Sequence, residues 1–156
     1  MENNKKIDEQ TIEDLFIEGA KLLTLKEFEK ALEIFEKVLE VKPDHLKALE
    51  AKAVILIHKN KIKEAKTLLE YALELDPDNA RLYYRLGQIY YKEKDLDTAL
   101  EYFTKAVEIE PIYPAAYMAR SQILREKGME ETADLELDKA VAVQRELAKS
   151  RKVVDF

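Results

Sequence analysis

Apolar and polar residues alternate along much of the chain with the spacing of amphipathic helices. Within residues 80–113, apolar side chains recur three and four residues apart, as at Leu86 and Tyr90. A second series in the same stretch includes Phe103 and Val107. Side chains at these spacings share one face of an α-helix. The stretch therefore predicts two antiparallel helices that pack together through facing apolar stripes.

Small residues and helix-breaking residues mark where these two helices meet and end. Gly87 and Ala99 are small at the positions where the two backbones are expected to cross. Asp95 lies near the start of the second helix, where a carboxylate can accept hydrogen bonds from free amide groups. Pro111 ends the second helix, because proline lacks an amide hydrogen and restricts the preceding residue.

The same pattern repeats along the chain with a period of 34 residues, and we call a position within this period a slot. Two slots hold small residues, one holds a bulky apolar residue and one holds a breaker. This periodicity predicts successive helix-turn-helix units. The small slots hold Ala31, Ala65, Ala99 and Ala133, and Gly19, Ala53, Gly87 and Ser121; the bulky slot holds Phe35, Leu69, Phe103 and Leu137; the breaker slot holds Pro43, Pro77 and Pro111.

The period divides the chain into a leader, four repeats and an extension. Residues 1–11 are polar without helical periodicity, which predicts a frayed leader. Arg145 occupies the breaker slot of the fourth repeat, and no Gly or Pro follows Gly128. The last helix is therefore predicted to begin near Glu130 and to continue into residues 148–156. The predicted repeats are residues 12–45, 46–79, 80–113 and 114–147.

The composition supports an all-helical interpretation. The 156 residues include only three Gly and four Pro, and 37% are charged, mostly as Glu and Lys. Few helix breakers and many charged residues are typical of helices with solvated outer faces, and 47% hydrophobic residues suffice for a core. The predicted fold class is therefore all-α.

Charge and hydropathy disfavour several classes of function. The formal net charge of −6 opposes the phosphate backbone, so no nucleic-acid partner is expected. No apolar run is long enough to span a bilayer, and the first ten residues lack the apolar stretch of a secretory signal. We therefore expect a cytoplasmic protein without a membrane partner.

The chain carries little that would form an active site or a cofactor site. It has no Cys, and its two histidines, His45 and His58, lack the short spacing of a zinc site. Three separate glycines cannot form a phosphate-binding loop. We expect no enzymatic activity, no catalytic residues, no metal site and no cofactor.

Residues 80–113 also resemble a known repeat family, the tetratricopeptide repeat, and the resemblance extends over roughly residues 12–147. It implies a right-handed α-solenoid, a superhelix of helix-turn-helix repeats, with an extended C-terminal helix. It further implies that the protein binds other proteins. The residues that carry the resemblance are Tyr83, Leu86, Gly87, Tyr90, Ala99, Phe103 and Pro111.

In the tetratricopeptide family, the first helix of each repeat lines a concave groove. Applied to the matching slots of this chain, that rule implies a scaffold that binds a peptide or protein segment in a concave groove. Tyrosines, arginines and glutamines suit such binding, through contact area, carboxylate pairing and backbone hydrogen bonds. The expected partner has apolar anchors and an acidic group. The predicted groove residues are Phe16, Val54, Ile57, Arg81, Tyr84, Arg85, Gln88, Tyr91, Met118, Gln122 and Arg125.

The alternative function is structural assembly. In this interpretation the convex face, the end repeats or the C-terminal helix pack against other copies of the chain, which gives a homo-oligomer. The tail residues Val153, Val154 and Phe156 offer an apolar contact for a second copy or for the groove. The other interpretation of the C-terminal helix is a polar outer face that caps the end of a solenoid.

Overall fold

The computed structural model describes residues 8–154, and within that range it contains eight helices and no strand. The predicted all-α fold class is confirmed. The chain divides into two compact units, one up to Pro77 and one from Asp78. The first unit contains α1 (Glu9–Thr24), α2 (Phe28–Val41), α3 (Leu46–His58) and α4 (Ile62–Leu75), and the second contains α5 (Ala80–Lys92), α6 (Leu96–Ile109), α7 (Pro114–Glu126) and α8 (Glu130–Val154).

Each unit consists of two helix pairs. In the first unit α1 packs on α2, α3 packs on α4, and α2 contacts α3. The second unit repeats this arrangement, because α5 packs on α6, α7 packs on α8, and α6 contacts α7. None of the helices in the described range is long and apolar enough to cross a membrane.

The turn within each pair uses a residue in the left-handed conformation. Lys26, Asn60, Lys94 and Gly128 have φ values of 59°, 59°, 63° and 79°, and they lie in one slot of the period. The amide of Lys26 donates to the Leu23 carbonyl, and the next amide donates to the carbonyl five residues before it. These two hydrogen bonds satisfy carbonyls at the helix end and reverse the chain direction.

The small slots lie in the core, as the period predicts. Ala31, Ala65, Ala99 and Ala133 are all fully buried. The bulky slot is buried in the first three helix pairs, whereas Leu137 of the fourth is 38% exposed. The equivalent Phe103 packs against Ile123 of the following helix pair, and no described helix follows α8 to do the same.

The N-terminal helix begins earlier than predicted. Helix α1 starts at Glu9, inside the range assigned to the leader, because the Asp8 carboxylate accepts a hydrogen bond of 2.8 Å from the Thr11 amide. The remainder of the predicted leader, residues 1–7, lies outside the described residues. Helix α8 continues to Val154, and the tail contact predicted at Val153, Val154 and Phe156 falls outside the side chains that the structure describes.

A buried polar contact joins the two helices of the fourth pair. The Glu136 carboxylate lies 3.3 Å from the Arg120 guanidinium and is almost fully buried. Beside it, the Ser121 hydroxyl donates to the Ala133 carbonyl at 2.7 Å. Buried charges require partners, and here the Arg120 guanidinium of α7 lies beside the Glu136 carboxylate of α8.

Candidate functional site

A cavity of about 380 Å³ lies in the second unit, beside the face of α5 that the sequence predicts to bind a partner. Helices α5, α6 and α7 all contribute to it. This brings four of the predicted groove residues together around one space. The lining residues are Tyr84, Gln88, Tyr91, Lys92, Phe103, Ala119 and Gln122.

Helical spacing explains how α5 presents its side chains to the cavity. Tyr84, Gln88 and Tyr91 are four and three residues apart, so they project from one face. Gln122 occupies the same slot as Gln88, one period later on α7. Because α6 packs on both α5 and α7, the two glutamines border the same cavity.

Aromatic rings form the apolar part of the wall. The Tyr84 ring lies 5.4 Å from the Phe103 ring and 5.2 Å from the Tyr113 ring, measured between centroids. Tyr84 is half-buried, so it lines the cavity and also packs within the unit. Phe103 is 2% exposed and also lines the cavity.

One hydrogen-bonded chain orients the side chains on α5. The Arg85 guanidinium donates to the Gln88 carbonyl oxygen at 3.0 Å, and the Gln88 amide donates to the Tyr84 hydroxyl at 3.3 Å. The guanidinium carbon lies 5.7 Å from the centroid of the Tyr84 ring, within the range of a cation–π contact. Arg85 therefore supports the position of two cavity-lining side chains.

A second hydrogen-bonded group joins α5 to α7. The Tyr91 hydroxyl and the Gln122 amide both donate to Glu126 Oε1, the latter at 3.0 Å. The hydrogen bond from Tyr91, with a smaller effect from Gln122, lowers the pKa of Glu126. The same bond to Glu126 raises the pKa of Tyr91. At neutral pH the rim of the cavity therefore carries an ionised carboxylate held by two donors.

The other predicted residues of the second unit lie outside the cavity lining. Arg125 is directed to α8, with guanidinium contacts of 3.3 Å to Glu130 and 2.9 Å to Asp134. Met118 is 52% exposed, and Arg81 is exposed at the start of α5. The roles predicted for these three side chains in binding stay predictions.

The predicted residues of the first unit occupy partly buried positions. The Phe16 ring lies 5.7 Å from the Phe35 ring and 5.2 Å from the His45 ring, so it packs on the core of that unit. Val54 and Ile57 are half-buried on α3. Their predicted part in a groove also stays a prediction.

Two lining residues, Phe103 and Lys92, are absent from the predicted groove, whereas the slot rule that gives the groove also includes Ala119 of the fourth repeat. The sequence assigns Phe103 to helix packing alone. Lys92 lies four residues after Gln88, so helical spacing placed it on the predicted face. That spacing is the signal that sequence reasoning missed. The part of the chain that the structure describes holds no group of three or more His, Asp or Glu arranged for a metal ion.

Comparison with protein families gives three matches. Residues 80–113 and 22–70 match models described as tetratricopeptide repeat, and residues 53–94 match a model described as TPR repeat. The three matches overlap and together extend over more than half of the chain. Residues 114–147 lie beyond them, so a fourth repeat of this family stays a prediction. A comparison with curated proteins gave no match.

Solved structures similar to this chain include MamA and PilF proteins. MamA from residue 41 of Desulfovibrio magneticus RS-1 is 28% identical, with a TM-score of 0.72, over 86% of this chain and 76% of that one. Another MamA crystal structure is 24% identical, with a TM-score of 0.74, over 92% of this chain and 84% of that one. PilF of Pseudomonas aeruginosa is 22% identical, with a TM-score of 0.77, over 86% of this chain and 61% of that one.

The two similarities below 25% identity concern the fold alone, and they agree with the family matches. The repeats generally form scaffolds for protein interaction and are generally not catalytic. The fold, its 34-residue period and the three family matches lead to one assignment. The chain is a tetratricopeptide repeat protein.

Proposed function

We propose that this protein is a non-enzymatic, cytoplasmic scaffold that binds a peptide segment of another protein in the cavity beside α5. One observation carries the proposal: an apolar, partly aromatic cavity is bordered by glutamines from the same slot of two successive helix pairs. The volume of about 380 Å³ falls within the range of small-ligand sites in proteins. That space is sufficient for a large apolar side chain of the partner.

The lining chemistry suits a peptide better than a rigid small molecule. Tyr84 and Tyr91 supply contact area at a low cost in side-chain entropy. Each glutamine amide has two donor hydrogens and an oxygen with two acceptor positions. Gln88 uses one donor and one acceptor position within α5, and Gln122 uses one donor on Glu126. The remaining capacity suits the backbone of an extended peptide.

A leucine introduced into the cavity tests this proposal. Ala119 lines the cavity, whereas Ala115 is exposed on the same helix one turn earlier and does not line it. A random-peptide display library is selected on the wild-type chain. The enriched peptides are then measured by fluorescence polarisation against wild type, Ala119→Leu and the matched control Ala115→Leu.

The expected result is that Ala119→Leu weakens binding at least tenfold while Ala115→Leu binds like wild type. Filling the cavity removes the space for the apolar anchor, whereas the control adds the same leucine outside it. Equal binding by all three proteins, or a selection that enriches no peptide, would exclude this cavity as the peptide site. Thermal unfolding of each variant separates lost binding from lost folding.

Self-association is the second candidate function, and one observation favours it. The fourth helix pair leaves apolar side chains exposed on α8, with Leu137 at 38%, Val141 at 41% and Leu147 at 36%. Such residues often mark contact surfaces when they lie close together. Light scattering distinguishes the candidates, because a chain that stays monomeric at micromolar concentration cannot act by assembly.

A further inference from the structure

Helix α8 carries a partly apolar face that stays exposed. Leu137 and Val141 are 38% and 41% exposed. Gln144 and Ala148 are also exposed and lie on the same face, because the four residues are four, three and four positions apart. This is the spacing of side chains along the contact line between two paired helices. We call Leu137, Val141, Gln144 and Ala148 the α8 seam.

The second half of α8 has no partner helix along it, because α8 is longer than the helix it packs on. At 1.5 Å per residue, the 25 residues of α8 extend about 37 Å, against about 20 Å for the 13 residues of α7. No side chain from Gln144 to Arg151 is buried. A second helix beside the α8 seam would therefore cover surface that the described part of the chain leaves in water.

The charges on α8 are separated by sign. Residues 130–138 contain five carboxylates and no cation, whereas residues 145–152 contain four cations and one carboxylate. The helix dipole favours such a distribution only within the first and last turns. Asp138 and Arg145 lie more than two turns from either end of α8, so the dipole does not account for them.

Asp138 and Arg145 flank the α8 seam, and each directly follows a seam residue. Both are exposed, and neither forms an ion pair with any residue that the structure describes. The cation next to Asp138, Lys139, contacts Glu136 instead, at 3.0 Å. The seam is therefore bordered by one carboxylate and one guanidinium that are available to a partner.

We propose that two copies of this chain associate through their α8 seams, with the two α8 helices antiparallel. The inference rests on self-association, the second candidate function, and is independent of the cavity beside α5. A two-fold axis at the middle of the seam places Leu137 opposite Ala148 of the second copy, and Val141 opposite Gln144 of the second copy.

Charge complementarity selects the antiparallel orientation. In that orientation the Asp138 carboxylate lies beside the guanidinium of Arg145 of the second copy, and the two-fold axis repeats the contact. The acidic half of each α8 then lies along the basic half of the other. A parallel pair would align the acidic halves with each other, and like charges repel.

Charge reversal tests the orientation. Asp138→Arg and Arg145→Asp are measured separately and as an equimolar mixture, by sedimentation velocity up to high micromolar concentration. Glu33→Arg and Lys37→Asp are the matched controls, because they change the net charge by the same amounts at an exposed ion pair of α2.

We expect a dimer for wild type and for both controls. Each single α8 variant replaces two attractive contacts with two repulsive ones, so its dimer dissociation constant should rise by at least about tenfold. The mixture should recover most of the wild-type affinity, because both contacts in the mixed dimer again join opposite charges. That recovery would also show that the single variants are folded.

Introduced thiols test the pairing of the seam residues, because the chain has no cysteine of its own. Leu137→Cys and Ala148→Cys are mixed and oxidised, and the linked products are identified by mass. The antiparallel seam places the two thiols opposite each other, so the disulfide should join one variant to the other. Disulfides within each variant alone would indicate a parallel pair and overturn the inference.

The other contrary outcomes separate the inference from self-association itself. A dimer that tolerates both α8 charge reversals, or a mixture that associates as weakly as its components, would overturn the α8 pairing and leave self-association standing. A wild-type chain that stays monomeric over the whole concentration range would overturn both.

Discussion

A methyl group added to Gly87 would lie 2.6 Å from Cε1 of Phe103. The same relationship occurs in the first helix pair, where a methyl group on Gly19 would lie 2.7 Å from the Phe35 ring. In the second pair the small slot is Ala53, and there the bulky slot is Leu69 instead of phenylalanine. The two slots therefore match in size, with glycine facing phenylalanine and alanine facing leucine.

This size matching predicts that Gly87→Ala destabilises the protein although alanine favours helices. Helix propensity offers a gain of about 1 kcal/mol. The overlap with three atoms of a buried ring is larger, because overpacking in a core costs about 1–3 kcal/mol and this ring is 2% exposed. We expect a lower midpoint in urea unfolding followed by circular dichroism.

The double variant Gly87→Ala/Phe103→Leu is the control for that prediction. It recreates the pair found at Ala53 and Leu69, so the added methyl group should be tolerated better than it is beside Phe103. The cost of Gly87→Ala should then be smaller in the Phe103→Leu background than in the wild-type background. An equal cost in both backgrounds would show that the ring does not limit the size of residue 87.

The left-handed turns predict a stabilising substitution at Lys26. A side chain at this φ of 59° costs about 1–2 kcal/mol, and glycine avoids that cost. Part of the gain is lost because glycine has more freedom in the unfolded chain. We expect Lys26→Gly to raise the free energy of unfolding by about 0.5–1 kcal/mol, measured by urea unfolding.

Lys26→Ala separates backbone strain from the effect of losing the lysine side chain. Alanine removes the ammonium group and keeps the Cβ atom that causes the strain, so no gain is expected. If the alanine variant were as stable as the glycine variant, the stabilisation would come from charge and not from the turn.

The His45 side chain predicts a dependence of stability on pH. Its Nδ1 atom accepts a hydrogen bond of 3.1 Å from the Ala48 amide at the start of α3. Burial, with a smaller effect from Lys42, lowers the pKa of His45 below its usual 6.5. The unfolded chain therefore binds a proton more readily than the folded one, and stability falls as the pH decreases below about 6.5.

His45→Asn is the control, since asparagine can accept the same hydrogen bond and does not titrate. The urea midpoint should decrease from neutral to mildly acidic pH in both proteins, and the decrease should be smaller in this variant than in wild type. An identical decrease in both proteins would assign the pH dependence to other groups.

The positions of the helices and of the core alanines follow from the sequence, because 34-residue periodicity and small residues report packing directly. The left-handed conformation at the turn slot does not follow from the sequence, since the lysines at Lys26 and Lys94 have no preference for that conformation. The contacts of Arg125 could not be predicted from the sequence either. Its partners Glu130 and Asp134 lie across a turn, beyond the three- and four-residue spacing that relates side chains on one helix.

The cavity could also be predicted only in part from the sequence. Helical spacing placed Tyr84, Gln88 and Tyr91 on one face, and the structure places all three around one space. The period alone could not show that Gln122 joins them there, because that depends on how α7 packs beside α6. Nor could it show that Tyr84 has both a packing and a lining position, which the sequence presents as alternatives.

The contact between Arg120 and Glu136 gives the last prediction. Glu136 is almost fully buried, and its other partner is Lys139, whose ammonium group lies 3.0 Å away. Removing the guanidinium by Arg120→Leu leaves a buried carboxylate with less compensation. Such a change costs about 3–5 kcal/mol when no other partner exists, and Lys139 should reduce that cost.

Replacing both charged residues should be far less harmful than replacing one. In wild type, both charged groups lose hydration when the chain folds. The double variant Arg120→Leu/Glu136→Met buries apolar side chains in their place, and such replacements of a buried ion pair are often neutral or stabilising. Urea unfolding of wild type, both single variants and the double variant gives the coupling energy between the two positions. Additive losses would mean that the two side chains do not interact. A stable double variant would instead mean that the charges specify how α7 pairs with α8 without adding to the free energy of unfolding.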